Sequence, residues 1–579
     1  MPRNNEFKLI SGVLPIVLAL IGIVMIATSL VADWLGIGSQ PGFGEKQVLL
    51  IFVGSLILLV SLRFCTGKEI FLFLLPLLPF LFFAYLFYNV TVEDTFITFR
   101  YASHLANGHG LVWNIGETPL EGYTSFLWIT ILSIFSKLGL DLFHVSKIIG
   151  IAFGLATIIA VYFAAYNLSG SIKAAQVASI ICAVSPSVAF HSVTGMDTIA
   201  FTFFVTLQIA LAFSLINDFS IKKEALLYVL FLLTGLARPE GVLIAIVVLS
   251  FLWAGHRPST IVLLLFFVLP GLVYMIWRYS YFGPYLFPNS FYYKASSQLL
   301  VQSSVDSIKR FLFFSCSPFL ILGVEHLIAA NKLSRKYILI PIIIALFLIP
   351  YIRVNLWMGY LDRFFIPIYP LVIVFAAPRI SELLAKVTFD RVRLIHSLFS
   401  LCVIIAFIGY PLIVPERTVG YSKVLADQSR IGYENAHIKI GNILKRFSNN
   451  NDYTLAVTEA GAIPFYSGWR TIDTGGLNDK YQTEYLAQHG GRLNLNYIYD
   501  QRPEIIIVVT KDPERITYPL DRQIVEDPRI KNYEFLGRYI SWFGAWEIWE
   551  WTVVYMRRDA KDLNQLKMEL KKHADVKAP

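Results

Sequence analysis

Two adjacent carboxylates, Glu93-Asp94, follow an apolar run that ends near Val90. They open the stretch Val92–Tyr101, which leads into Asn107-Gly108-His109-Gly110, Trp113-Asn114 and Glu121-Gly122-Tyr123-Thr124-Ser125. Ionisable groups at the mouth of a membrane helix are costly and mark a functional site by default. A carboxylate there can act as general base on a hydroxyl nucleophile. The same two groups can instead cap a following helix or compensate its dipole. Arg100 lies seven residues after Glu93, about two helical turns, so a helix would turn both to one side. It then either serves the site or neutralises the pair.

The elements that must hold these groups are mostly apolar. Of 579 residues, 56% are hydrophobic and 15% charged, against about 25% charged in a soluble protein. Apolar runs recur at roughly 10–31, 47–62, 70–90, 144–166, 174–192, 198–217, 224–237, 241–255, 260–280, 311–328, 337–352, 364–383 and 395–413. Their lengths suit transmembrane helices, so residues 1–415 are expected to form a polytopic α-helical membrane domain of about 13 spans. The net charge of +9 concentrates in short loops and calls for no nucleic acid. Cys65, Cys182, Cys316 and Cys402 lie in or beside apolar runs without metal-ligand spacing.

Loop charges set the topology. With the N-terminus inside, Arg63 and Lys68, Lys173, Lys222-Lys223, His256-Arg257, Lys332 with Arg335-Lys336, and Lys386 with Arg391 and Arg393 all fall inside. Counting 123–140 as a span would move Lys222-Lys223, Arg257, Lys332 and Arg391 outside together. That segment is therefore read as a helix lying in or re-entering the outer interface, which suits Trp128 and Lys137. Glu93, Asp94, Asp197, Arg238, Glu240, Lys294, Asp362 and Arg363 then share the external side. Arg238-Pro239-Glu240-Gly241 breaks two short spans, either as a charged turn lining a cavity or as an ordinary hairpin. After Pro415 no spanning run remains. Val424–Phe447 has helical periodicity, and Thr454–Thr458, Glu504–Val509 and Trp549–Tyr555 read as strands. Residues 416–579 are expected to form an extracytoplasmic α/β domain, ending in a charged tail that suits a solvated helix.

The stretch from Val92 to Trp128 resembles the first external loop of GT-C glycosyltransferases, above all the actinobacterial terminal arabinofuranosyltransferase-like family. Gly195-Met196-Asp197-Thr198, Arg238-Pro239-Glu240-Gly241, Pro288-Asn289-Ser290-Phe291-Tyr292-Tyr293-Lys294, Arg363-Phe364-Phe365-Ile366-Pro367 and Ala460-Gly461-Ala462-Ile463-Pro464-Phe465-Tyr466-Ser467-Gly468 follow in the same order. The pair here is Glu93-Asp94 where the family more often has Asp-Asp, and Asp197 stands where Glu is common.

This resemblance implies a sugar donor on polyprenyl phosphate, a cell-envelope glycan acceptor and a multi-pass protein of the bacterial cytoplasmic membrane working on its external face. A phosphate monoester has a second pKa near about 6. It can leave without a general acid, so one carboxylate base and cations on the departing phosphate suffice. Direct displacement would invert the anomeric carbon. Glu93, Asp94 and Asp197 are the candidate catalytic carboxylates, with either member of the pair as base. Arg100, Arg238, Lys294 and Arg363 are the candidates for the donor phosphate, or else interfacial side chains. His109, Trp113, Asn114, Tyr123, Glu240, Asn289 and Asp479, with Asn478, are candidates for the sugar and acceptor, or loop packing. No cofactor is required, but Glu93, Asp94 and Asp197 offer hard oxygen ligands for Mg²⁺, Mn²⁺ or Ca²⁺. The competing readings are a transporter or flippase of lipid-linked glycan, or a glycan-binding member without activity. A transporter would place ionisable groups near the bilayer midplane and often show inverted repeats; neither pattern is visible.

Overall fold

The computed structural model describes residues 76–385 and 436–577, apart from 89, 256–257, 286, 297–300, 330–334, 354–355, 357–358, 449–452, 544–547 and 561–562. Six helices among the described residues are long and apolar enough to cross a membrane: Leu142–Ser169, Thr198–Asn217, Thr260–Phe282, Ser304–Ala329, Arg335–Ile352 and Ile366–Ala385. Ile172–Ala183 and Pro186–Val193 meet at a 57° bend and make a seventh if taken as one span. Pro186 causes the bend, because proline restricts the residue before it and supplies no N–H. The expected count of about 13 is not reached among these residues. The expected spans 10–31, 47–62 and 395–413 lie outside them, and Leu77–Phe87 is the described part of 70–90.

Ile221–Ala237 and Glu240–Trp253, of 17 and 14 residues, form a short hairpin with Arg238-Pro239 at its tip. At its base Glu224 accepts from the Ser259 backbone N–H at 2.7 Å. Phe126–Lys137 is a twelve-residue helix, about 18 Å long, too short to cross a core of about 30 Å.

Beyond the helices lies a six-stranded sheet in the order β2-β1-β3-β5-β4-β6. Its strands are β1 (Thr454–Val457), β2 (Arg470–Asp473), β3 (Ile505–Thr510), β4 (Tyr533–Phe543), β5 (Ile548–Arg557) and β6 (Val576–Lys577). β2, β1 and β3 are parallel, whereas β5, β4 and β6 pair antiparallel. Period-two alternation splits β1 between two cores. Leu455 and Val457 face the core that holds Phe96, Phe99 and Trp128, while Ala456 packs with Ile498 and Ile524. Phe96 and Phe99 are fully buried, and both pack against Phe465. Each contributes about 2–3 kcal/mol by burial. The helix Asp94–Ala106 is thus part of the core of the sheet domain as well as of the membrane domain. The tail helix Asn564–His573 is charged outside, but Leu566 and Leu570 are buried in that same core, so it is packed rather than solvated.

Candidate active site

Glu93 and Asp94 stand at the start of the helix Asp94–Ala106, as their spacing before an apolar, periodic segment suggests, but they point to different surroundings. Glu93 is 6% exposed; its Oε1 accepts from the Ala462 backbone N–H at 2.7 Å and lies 3.2 Å from His437 Nδ1. The Asp94 side chain keeps 29% exposure, and its Oδ2 is 3.2 Å from Arg363 Nη1. Behind the pair, the buried Lys147 donates to the carbonyls of Tyr88, Val90 and Val193 at 2.6–2.9 Å. It fixes the chain entering the helix. Thr95 Oγ1 adds a bond to Thr194 O at 3.0 Å.

Arg363 follows Leu361 and Asp362, both at positive φ (47° and 60°). This backbone region is strained for residues other than glycine and persists where the surroundings hold it. His191 Nε2 lies 3.0 Å from Leu361 O, and Asp362 accepts from Ser315 Oγ at 2.7 Å. The turn therefore aims Arg363 at Asp94 and Asp362 away from it. Arg363 is also within electrostatic reach of Asp197. Asp197 and Arg238 form a buried two-point pair at 2.7 and 3.1 Å. Arg238 senses Glu240, whose Oε1 accepts from Tyr351 Oη at 2.6 Å. Asp94, Arg363, Asp197, Arg238 and Glu240 thus form one chain of charges along one end of the helices.

Other candidates go elsewhere. Arg100 commits four of its five N–H donors: to Trp113 O (2.8 Å), Asn114 Oδ1 (3.1 Å), Trp469 O (2.9 Å) and Pro464 O. It has no fork left for a phosphate, so its assignment as a phosphate ligand is withdrawn. Trp113 donates from Nε1 to Thr471 O at 3.2 Å and lies against the Arg100 guanidinium. Asn114 exchanges bonds with the Thr471 backbone at 2.9 and 3.0 Å, like one more rung on β2. Asn289 donates to Gly476 O and Leu477 O at 3.1 and 2.8 Å. Asn478 is bonded to Asp473, and Asp479 caps its own helix through the Gln482 N–H at 3.0 Å. Tyr123 is buried edge-on to Tyr101, its hydroxyl sealed from solvent. Arg100, Trp113, Asn114, Asn289 and Asn478 thus join the two domains, whereas Tyr123 packs against Tyr101 and Asp479 bonds within the sheet domain. A buried Arg278–Glu121 pair ties the same loop down. His109 is exposed, and Lys294 lies on the helix Asn289–Ser296, its side chain outside the described residues.

The sheet domain brings carboxylates that the sequence reading missed. In open α/β sheets, ligands bind beyond the carboxyl ends of parallel strands. Here those ends carry Thr458-Glu459 after β1 and Asp473, the last residue of β2, with Thr474-Gly475 after it. Burial, with Glu550, Glu93, Asp94 and Asp521 nearby, holds the Glu459 carboxyl well above the usual range. Asp473 is pushed up by burial to about 6 and Asp521 to about 7. Burial, with Asp473, Glu459 and Asp94 close by, pushes the Tyr293 phenol up as well. Tyr293 lay within the matched Pro288–Lys294 segment and Glu459 directly before Ala460-Gly461, so both had a signal. His437 had none. Among the described residues no three His, Cys, Asp or Glu side chains are placed to hold a metal ion. Glu93, Asp94 and Asp197 therefore do not come together as the proposed ligand set: Glu93 turns to the sheet domain and Asp197 is taken by Arg238.

In sequence, no curated protein matches the chain. A family profile described as a domain of unknown function (DUF8728) matches residues 425–560. In structure, the chain is similar to ArnT from Cupriavidus metallidurans bound to undecaprenyl phosphate, with a TM-score of 0.54 at 11% identity, covering 88% of this chain and 99% of that one. It is also similar to the apo oligosaccharyltransferase of Archaeoglobus fulgidus, with a TM-score of 0.51 at 13% identity, covering 83% and 74%. The likeness is one of fold: long apolar helices followed by a C-terminal sheet domain, as described above for this chain.

Proposed function

We propose that this protein is an integral-membrane glycosyltransferase that moves a sugar from polyprenyl phosphate to a cell-envelope glycan on the external face of the bacterial cytoplasmic membrane. The observation that carries the mechanism is the division of the acidic pair. Glu93 is buried, with Oε1 turned to Ala462 and His437 and Oε2 sealed from solvent, while Asp94 stays partly open with Arg363 against it. Asp94 is therefore the base, taking the proton of the acceptor hydroxyl as its oxygen attacks the anomeric carbon. The bond to the phosphate oxygen breaks on the opposite side, with inversion. Arg363 meets the departing phosphate, and charge-assisted bonds in a partly dry site are strong; Lys294 is a second candidate cation by its place in the sequence. Asp197 and Arg238 stand near Arg363 and fix the field. The bound undecaprenyl phosphate of the ArnT structure supports this class of donor, and arabinofuranose is the first sugar to offer.

The test is polyprenyl-phosphate release by the purified protein. It is offered polyprenyl-phosphate sugars and envelope glycans, beside Asp94→Asn and with EDTA. Release from one donor is expected, falling about 10²- to 10⁴-fold in the variant, the usual contribution of a general base. EDTA decides whether a divalent cation takes part. Undiminished turnover by Asp94→Asn would remove it as base; vesicle assays showing glycan translocation without sugar transfer would support a flippase.

A further inference from the structure

We propose that Glu93 is a positioning residue that, with His437, latches the sheet domain onto the helix carrying Asp94 and so sets the base. This rests on the reading of Asp94 as base.

Three observations carry it. First, the carboxylate of Glu93 crosses between domains. Its Oε1 meets the Ala462 N–H at 2.7 Å and His437 Nδ1 at 3.2 Å. His437, fully buried on the helix Ala436–Lys445, holds its other nitrogen 3.0 Å from Thr552 Oγ1 on β5. Second, the fit needs a residue without a side chain at 461. A Cβ on Gly461 would fall on the Glu93 carbonyl oxygen and come within 2.6 Å of Oε1. Third, the same helix is gripped again further along, where Arg100 bonds to Pro464 O and Trp469 O. One short segment, 461–469, therefore holds the Asp94 helix at two points. Asp94 follows Glu93 directly in the chain, so any shift of this segment moves the base.

The groups facing His437 are Glu93 and Glu550, and Glu459 is close to both of those carboxylates. Burial disfavours the charged imidazole, but the carboxylates outweigh it and raise its pKa above the ordinary histidine value. A raised folded pKa means the pairing is complete below the ordinary value and is lost as pH rises through the folded one. The latch therefore loosens on the alkaline side.

The experiment compares the full-length protein with Glu93→Gln, His437→Gln, Gly461→Ala and Asp94→Asn. It reads kcat and KM against pH, and hydrogen exchange of residues 94–106 and 459–469. Misplacing a reacting group by about 1 Å costs about 10²-fold. Glu93→Gln and His437→Gln are expected to lower kcat roughly ten- to hundredfold with KM for the donor little changed, a loss of placement rather than of chemistry. Both should lose the alkaline fall of the wild type and exchange faster in 459–469. Gly461→Ala, with Glu93 intact, should do the same to exchange. Asp94→Asn should lower turnover about 10²- to 10⁴-fold with exchange unchanged. Unchanged exchange in Glu93→Gln and His437→Gln overturns the latch whatever the activity. Full turnover by Asp94→Asn overturns the base assignment and leaves the exchange result to decide the latch separately.

Discussion

Adjacent carboxyl groups can be driven to different tasks by their surroundings, and pairs whose environments diverge reveal their roles. Glu93 and Asp94 are such a pair, and a second contrast lies in the sheet domain. Asp521 Oδ1 accepts from Thr458 Oγ1 at 2.6 Å and from the Val509 N–H at 3.1 Å, yet burial still holds its carboxyl near 7. A carboxyl raised in the folded state stabilises fully below its unfolded value near about 4 and loses that contribution as pH rises through its folded value. The structure should therefore be more stable at pH 5 than at pH 8. Asp521→Asn keeps both bonds through its one carbonyl oxygen and removes the titration. It should raise stability at pH 8 by on the order of 2 kcal/mol and flatten the melting temperature between pH 5 and 8. Thermal melts of the full chain across that range check it, and an unchanged pH dependence would assign it to Asp473, Glu459 and Glu550. At this scale the sequence was informative about residue types and poor about direction. The sequence puts Glu93-Asp94, Asp197, Arg238 and Arg363 on one side, and the structure pairs Asp94 with Arg363 and Asp197 with Arg238. Nothing in the string separates a carboxylate facing a cavity from its neighbour facing a backbone N–H. Arg100, Trp113 and Asn114 likewise looked like ligands, because an interdomain joint uses the same residue types as a binding site.

The helix Asp94–Ala106 is the element on which the two domains meet. Phe96 and Phe99 bury one face in the shared core, and Arg100 supplies the directional bonds. Replacing Arg100 by Gln leaves the carbonyls of Trp113, Pro464 and Trp469 short of donors, each worth about 1–3 kcal/mol when buried. The expected outcome is a loss of at least about 3 kcal/mol, read as a lower melting temperature and faster exchange in 111–114 and 464–471 together. Exchange confined to 111–114 would show that the joint with the sheet domain does not depend on this residue. Long apolar helices such as Thr198–Asn217 and Thr260–Phe282 were legible, since length and hydropathy alone specify them. The strands were legible only in part. β1, β3 and β5 are apolar runs, and the sequence reading placed them within a few residues. β2 is four residues with a charge at each end, β4 carries an irregularity between Phe535 and Gly537, and β6 is two residues on an edge. Such strands exist because a neighbour offers hydrogen bonds, and local pattern does not record that.

At the scale of the molecule, the two ends of the bundle are chemically opposite. One end holds the Asp94–Arg363 and Asp197–Arg238 pairs and the sheet domain. The other holds Lys173, Lys222 and Lys223, with Arg335 bonded to Ala254 O and Lys336 to Asn167 O. Two consecutive helices run between them in the sense the loop charges require: Asp197 precedes one at the site end, and Lys222 lies in the first turn of the next at the far end. Positive charge is retained on the cytoplasmic side, which supports the proposed topology, with the basic end cytoplasmic and the Asp94 end external. This polarity suits a transferase better than a carrier. The charges gather at the two ends rather than midway, and a lipid-borne phosphate and a polymer too large to cross can meet at the Asp94 end. In a cysteine-free background, Gln488→Cys should react with a membrane-impermeant thiol reagent on intact cells. Lys173→Cys and Lys222→Cys should react only after permeabilisation. The reverse pattern would put Asp94 in the cytoplasm, where an external envelope glycan never reaches it, and the proposed reaction would have to be replaced by one on a cytoplasmic acceptor.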